Sequence, residues 1–196
     1  MKWVIRAISA LLRTLGVSAP LDVNSGVKAF DAGDYGRALR IWRPFAEQGD
    51  ANAQFNLGLL YDYGYGMQKD HAHAVRWYQM AAERGQVEAQ FQLGVMYGSS
   101  RGVLQNYVEA VRWFRIAAKQ GHADAQFHLG VMYAIGRGVP QEYATAHMWF
   151  NIAAANGVDD AVQARDATGK EMTGGGISEA QRRARVCMES GYRNCD

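Results

Sequence analysis

Residues 87–122 read VEAQFQLGVMYGSSRGVLQNYVEAVRWFRIAAKQGH. The stretch before it, ANAQFNLGLLYDYGYGMQKDHAHAVRWYQMAAERGQ at 51–86, and the one after it, ADAQFHLGVMYAIGRGVPQEYATAHMWFNIAAANGV at 123–158, have the same 36-residue length and align without insertion. Twelve of the 36 positions are identical in all three copies. They include Gln54/Gln90/Gln126, Phe55/Phe91/Phe127, Gly58/Gly94/Gly130, Trp77/Trp113/Trp149 and Gly85/Gly121/Gly157. Self-similarity at a fixed period of this size marks stacked units, each too small to bury its apolar face alone.

Each unit reads as two helices. In the first, Ala53, Leu57, Leu60 and Tyr61 fall at i, i+4, i+7 and i+8, which is one apolar stripe. Gly58 interrupts that helix at a cost of roughly 1 kcal/mol against alanine. Its return in every copy implies that a neighbouring helix comes too close for a side chain. Gly64 and Gly66 open a loop, and Gly85 is expected to end the second helix in a left-handed conformation. The second helix carries two adjacent stripes, Ala74, Trp77 and Ala81 beside Val75, Tyr78 and Ala82, so it is covered on two sides. Ser99-Ser100 stands in copy two where the others have a glycine at the second position, so that loop is expected to differ.

The flanks read as caps. Residues 25–50 form an N-terminal half-repeat: a short first helix over 25–32, with Ser25 as its N-cap, and a second over 35–48. Ala38, Ala46 and Gly49 lie 36 before Ala74, Ala82 and Gly85, while Trp42 is offset by one from the tryptophan row and Pro44 predicts a kink. Residues 159–196 hold the C-terminal capping helices. One is expected over Asp159 to Lys170, then a flexible break at Thr173 to Gly176, then a helix opened by a Ser178/Gln181 capping box and running to about Ser190. A solenoid needs such polar terminal units to stay soluble. The total is an all-α stack of about nine helices.

The pattern A-Q-F-x-L-G-x-x-Y, then G-x-G, then A-x-x-W-x-x-x-A-A-x-x-G resembles the Sel-1-like repeat, a relative of the tetratricopeptide repeat. The match covers residues 27–158, and the tail from Met172 to Arg185 resembles the end of many bacterial proteins of this family. The resemblance implies a right-handed α-α solenoid that serves as a non-enzymatic scaffold or adaptor for a protein or peptide. It also implies that the first helices line the concave face, which would place there Asn52, Phe55, Leu59, Asp62 and Tyr63 of unit one, Glu88, Phe91 and Val95 of unit two, and Asp124, Phe127, Val131 and Ile135 of unit three. Aromatic anchors with a polar rim suit a peptide surface, and the weak acidity favours a ligand with some positive charge. The other reading of the phenylalanines is inter-repeat core. Arg76, Arg84, Arg112, Arg115 and Lys119 on the outer helices read as a solvated face.

Composition narrows the function classes. The 196 residues are 48% hydrophobic and 20% charged, with 22 glycines and 3 prolines, and the many alanines fit packed helices better than a collagen-like or disordered chain. On length this is one domain or a small pair. A net charge of +2 with no basic stripe argues against nucleic acid. No nucleotide loop is present, since Gly64-x-Gly66 and Gly174-Gly175-Gly176 lack the spacing and the lysine. His71 and His73, two apart, would point to opposite sides of a helix and make a poor metal pair; no metal or other cofactor is expected. Some cysteine-rich relatives are linked to β-lactam binding or hydrolysis, which is the alternative function; Ser25-Gly-Val-Lys28 and Tyr192-Arg-Asn194 fit S-x-x-K and Y-x-N, but no K-T-G accompanies them.

The two ends bear on location. Residues 1–20 hold Lys2, Arg6 and Arg13 with no acid among apolar residues, and Val17-Ser18-Ala19 resembles a cleavage site, although Arg13 interrupts the run. A leader segment and a retained basic amphipathic helix are the two readings. No run of ~20 apolar residues is present, so no transmembrane helix is expected. Cys187 and Cys195, eight apart around a turn, read as a disulfide stapling the tail to the last helix, against a pair of unrelated thiols. Together these point to a periplasmic or secreted location, with a cytoplasmic one the alternative.

Overall fold

The computed structural model describes residues 22–195; the leader reading of 1–20 lies outside them. Among the described residues there are ten helices and no strand. They are α1 (Val23–Asp31), α2 (Tyr35–Glu47), α3 (Ala51–Tyr63), α4 (His71–Glu83), α5 (Val87–Ser99), α6 (Tyr107–Ala118), α7 (Ala123–Ile135), α8 (Tyr143–Ala155), α9 (Asp159–Gly169) and α10 (Gly174–Glu189). Each helix from α1 to α8 packs on the next in the chain, and α9 and α10 both pack on α8. The result is a right-handed α-α solenoid of antiparallel pairs, with one helix more than expected.

Chemistry at the helix ends explains the boundaries. Asp50, Gln86 and His122, one period apart, each accept the amide of the residue three further on and so start α3, α5 and α7. Asp70 and Asn106 do the same for α4 and α6. At the other ends Gly64, Ser100 and Gly136 take the left-handed conformation, φ 73°, 61° and 68°. The loop of unit two therefore keeps the common shape, contrary to expectation, with Ser100 held where the other units use glycine.

The glycine inside each first helix makes room for a ring. A Cβ at Gly58 would stand 2.5 Å from Tyr78, at Gly94 2.5 Å from Phe114 and at Gly130 2.8 Å from Phe150. These rings are fully buried, so the lost helix propensity is offset by closer helix packing. The identical glutamines tie units together. Gln54, Gln90 and Gln126 are buried and donate through Nε2 to the carbonyls of Ala46, Ala82 and Ala118, at 3.0, 3.1 and 3.1 Å, on the second helix of the preceding unit.

The caps depart from the sequence reading in three places. Asp22, not Ser25, is the N-cap of α1; it accepts both the amide and the hydroxyl of Ser25, each at 2.7 Å. Trp42 stands 36 before Tyr78, so it is in register with the buried ring and not displaced from the tryptophan row; it is buried against Gly26 and donates to the Val23 carbonyl at 3.0 Å. Residues 173–176 are no break: Thr173 caps α10 by accepting the Gly176 amide at 3.2 Å, and the helix already runs through Ser178. Helix α2 continues through Pro44 to Glu47. Cys187 and Cys195 form the disulfide expected, and both lie in the core of the last unit. It holds the turn in which the Tyr192 hydroxyl meets the Asn156 amide group at 2.9 and 3.0 Å.

Candidate functional site

The first helices α3, α5 and α7 carry a repeated triad: a phenylalanine, the glycine three residues on, and a ring from the partner helix. Phe55 leans on Tyr78 at 5.7 Å between centroids, Phe91 on Phe114 at 6.0 Å and Phe127 on Phe150 at 5.6 Å. One side of each phenylalanine is thus held by its own hairpin and the residue as a whole is half-buried. The rings belong to the packing and still reach the surface. Leu59, Val95 and Val131 follow one turn later, also half-buried. Asn52 and Asp124 are exposed, Glu88 is half-buried, and Tyr63 and Ile135 are exposed at 47% and 50%.

Asp62 does not belong to this surface. Its carboxylate is fully buried and accepts Arg101 Nη2 on both oxygens at 2.6 Å, His71 Nδ1 at 2.7 Å and the Tyr78 hydroxyl at 3.4 Å. Burial, and then the Asp62 charge, push the Tyr78 hydroxyl far above its ordinary range. Arg101 comes from the loop of the next unit, so this knot ties units one and two. Position 12 of the unit is aspartate only in copy one, with Gly98 and Ala134 elsewhere, and position 15 is Tyr65, Arg101 and Arg137. Those unmatched positions were the available signal. Arg137, with no carboxylate to reach, lies over the Tyr107 ring at 5.1 Å.

Histidines shape the middle of the face. His122 accepts the Ala125 amide on Nδ1 at 3.2 Å, so its proton sits on Nε2, which donates to Glu88 at 3.1 Å. That bond holds the Glu88 carboxyl below the usual carboxylate range against the opposing effect of burial. His122 also stacks on Phe91 at 4.5 Å, and His128 on Phe114 at 5.1 Å. His71 and His73 serve different carboxylates, Asp62 and Asp70, each at 2.7 Å. Among the described residues no group of three or more His, Cys, Asp or Glu side chains is placed to hold a metal, and no helix is long and apolar enough to cross a membrane. Ser25, at the first helix, and Tyr192, which lies beyond the third repeat and bonds Asn156 at its end, do not form one site.

Two histidines, His147 buried and His128 half-buried, give the fold an acid sensitivity. Burial pushes His128 below its ordinary value, helped by His122 and opposed by Asp124. His147 is lowered by burial and then by Arg165, with Asp166 opposing. His147 is 3% exposed with Nδ1 unpartnered, where Val75 and Val111 stand in the other units. The folded state resists protonation at both sites while the unfolded chain takes up protons near pH 6.5, so stability is present above about 6.5 and is lost as pH falls below it. Urea midpoints should drop between pH 7.5 and 5.5, and His147→Val should flatten that dependence. An unchanged slope in the variant would contradict the assignment.

A stack of helical hairpins with a half-buried aromatic row on its first helices defines an α-solenoid repeat protein. The Sel1 repeat model matches residues 51–86, 87–122 and 123–158, and the chain belongs to that family. A Sel1 repeat protein from Oxalobacter formigenes is similar in structure at 30% identity and TM-score 0.68, over 89% of this chain and 79% of that one. So is c5321, a protective antigen present in uropathogenic Escherichia coli strains displaying an SLR fold, at 27% identity and TM-score 0.74. That match covers 93% of this chain but 45% of c5321, so this chain spans less than half of that protein. No curated protein matches. Sel1 repeat proteins are generally protein-interaction scaffolds.

Proposed function

We propose that this chain is a non-enzymatic adaptor that takes a protein or peptide partner on the concave face of its solenoid. The observation that carries the reading is the row Phe55, Phe91 and Phe127 with Leu59, Val95 and Val131. It is half-buried in every unit and edged by Glu88 and Asp124. Apolar anchors within a polar rim are the composition of a binding surface. The disulfide supports an oxidising compartment, periplasmic or extracellular. Phe91→Ala with Phe127→Ala should weaken capture of a partner by on the order of tenfold or more while circular dichroism keeps its helical signal. Undiminished capture would remove the aromatic row from the site.

A further inference from the structure

The concave row does not close in the same way in its middle and at its C-terminal end. Between α5 and α7, the ring of Phe91 is covered by the next unit: His122 stacks on it and His128 lies 5.6 Å away. The position of His128 recurs 36 residues later as Ala164, and that of Val131 as Ala167. Without those side chains Phe127 faces a cavity of about 750 Å³ between α7 and α9. Its α9 wall carries Asp160, Gln163, Ala164, Ala167 and Lys170, a stripe at helical spacing. Four of the five repeat the spacing that the first helices use for the concave face, so the degenerate fourth unit continues it. Asp166 also borders the cavity, but its carboxylate is bound by Arg165 at 2.8 Å.

The charges left over are placed at opposite ends. The side chains of Asp160 and Lys170 form no hydrogen bond or ion pair with any described residue. Ten residues of helix separate them by roughly 15 Å. An extended peptide covers that length in about four to five residues, with alternate side chains on one side.

We infer that this groove receives an extended peptide segment of the form basic–x–apolar–x–acidic. The basic side chain meets Asp160, the apolar one lies on Phe127 over Ala164 and Ala167, and the carboxylate meets Lys170. The inference rests on the concave-face reading above and specifies the partner's chemistry. Helix dipoles also favour an acid at the start of α9 and a base at its end, which by itself would give no peptide affinity.

The test uses the whole chain, labelled with ¹⁵N, and synthetic peptides followed by amide chemical shifts. The probe is Gly-Arg-Ser-Phe-Ser-Glu-Gly, blocked at both ends, with Gly-Gln-Ser-Phe-Ser-Gln-Gly and Gly-Arg-Ser-Phe-Ser-Arg-Gly as comparisons. The first should move the amides of Phe127, Gln163 and Lys170 and bind on the order of tenfold tighter than the uncharged peptide, as two exposed ion pairs allow. Lys170→Glu, at an exposed position, should transfer the preference to the Arg/Arg peptide. Ala164→His, which copies the side chain that covers Phe91, should abolish binding. Shifts at Phe55 and Phe91 without charge preference would overturn this inference and leave the concave face standing. Shifts confined to the second helices, or no binding, would overturn the inference as well, and the former would also count against the concave face.

Discussion

Replacing Arg101 with methionine is expected to destabilise the fold by about 3 kcal/mol, because it strands a buried carboxylate. The Asp62 side chain has no solvent exposure, and Arg101 supplies the full charge that neutralises it. His71 and Tyr78 remain as donors, and Arg101 is itself 36% exposed, which places the cost at the low end for a buried pair. An ion pair at the surface would cost no more than about 1 kcal/mol, so the size of the effect separates the two descriptions. Asp62→Leu together with Arg101→Met should recover most of the loss, since an apolar pair needs no neutralisation. Urea unfolding of the two single variants and the double completes a thermodynamic cycle. Additive losses would show that the residues act independently and that the knot between units one and two is not a unit.

Gly102→Ala is expected to cost about 3 kcal/mol or more, against about 1–2 kcal/mol for Gly85→Ala. Both glycines have positive φ, 70° and 86°, so both substitutions pay for a side chain in the left-handed region. What differs is the space. Nothing lies within 4 Å of a Cβ at Gly85, whereas one at Gly102 would overlap the His71 carbonyl at the start of α4. The obstacle is backbone and cannot rotate away, so the loop of unit two would lift off unit one and take Arg101 with it. Gly138 meets the Tyr107 carbonyl in the same way, and Gly138→Ala should behave like Gly102→Ala. Equal midpoints for the Gly85 and Gly102 variants would mean that the loops do not seat on the preceding unit.

Much of the fold was legible because a repeat is compared with itself. Gly58, Gly94 and Gly130 announced a close contact before any ring was assigned to it, and Tyr78, Phe114 and Phe150 supply that ring. The recurring Gln54, Gln90 and Gln126 were visible but not interpretable, because their acceptors lie on a neighbouring unit. The family resemblance placed Asp62 on the open face for the same reason: counting along a helix says nothing of a loop 39 residues away that folds over it. Gly174, Gly175 and Gly176 read as a break on propensity, yet the Thr173 cap and packing on α8 outweigh that preference. His128 and His147 escaped because the burial of a histidine leaves no pattern in a sequence. The cavity at Phe127 was also out of reach, since it exists only where a degenerate fourth unit supplies alanines.

In the proposed complex the first helices, not the second, present the binding face. Single photo-crosslinking residues at Val95 and Val131 on that face, and at Arg76 and Arg112 on the outer helices, measure it directly in the source cell. A discrete crosslinked partner is expected from Val95 and Val131 and none from Arg76 or Arg112. The same partner appearing from the outer positions, and not from the inner ones, would contradict it.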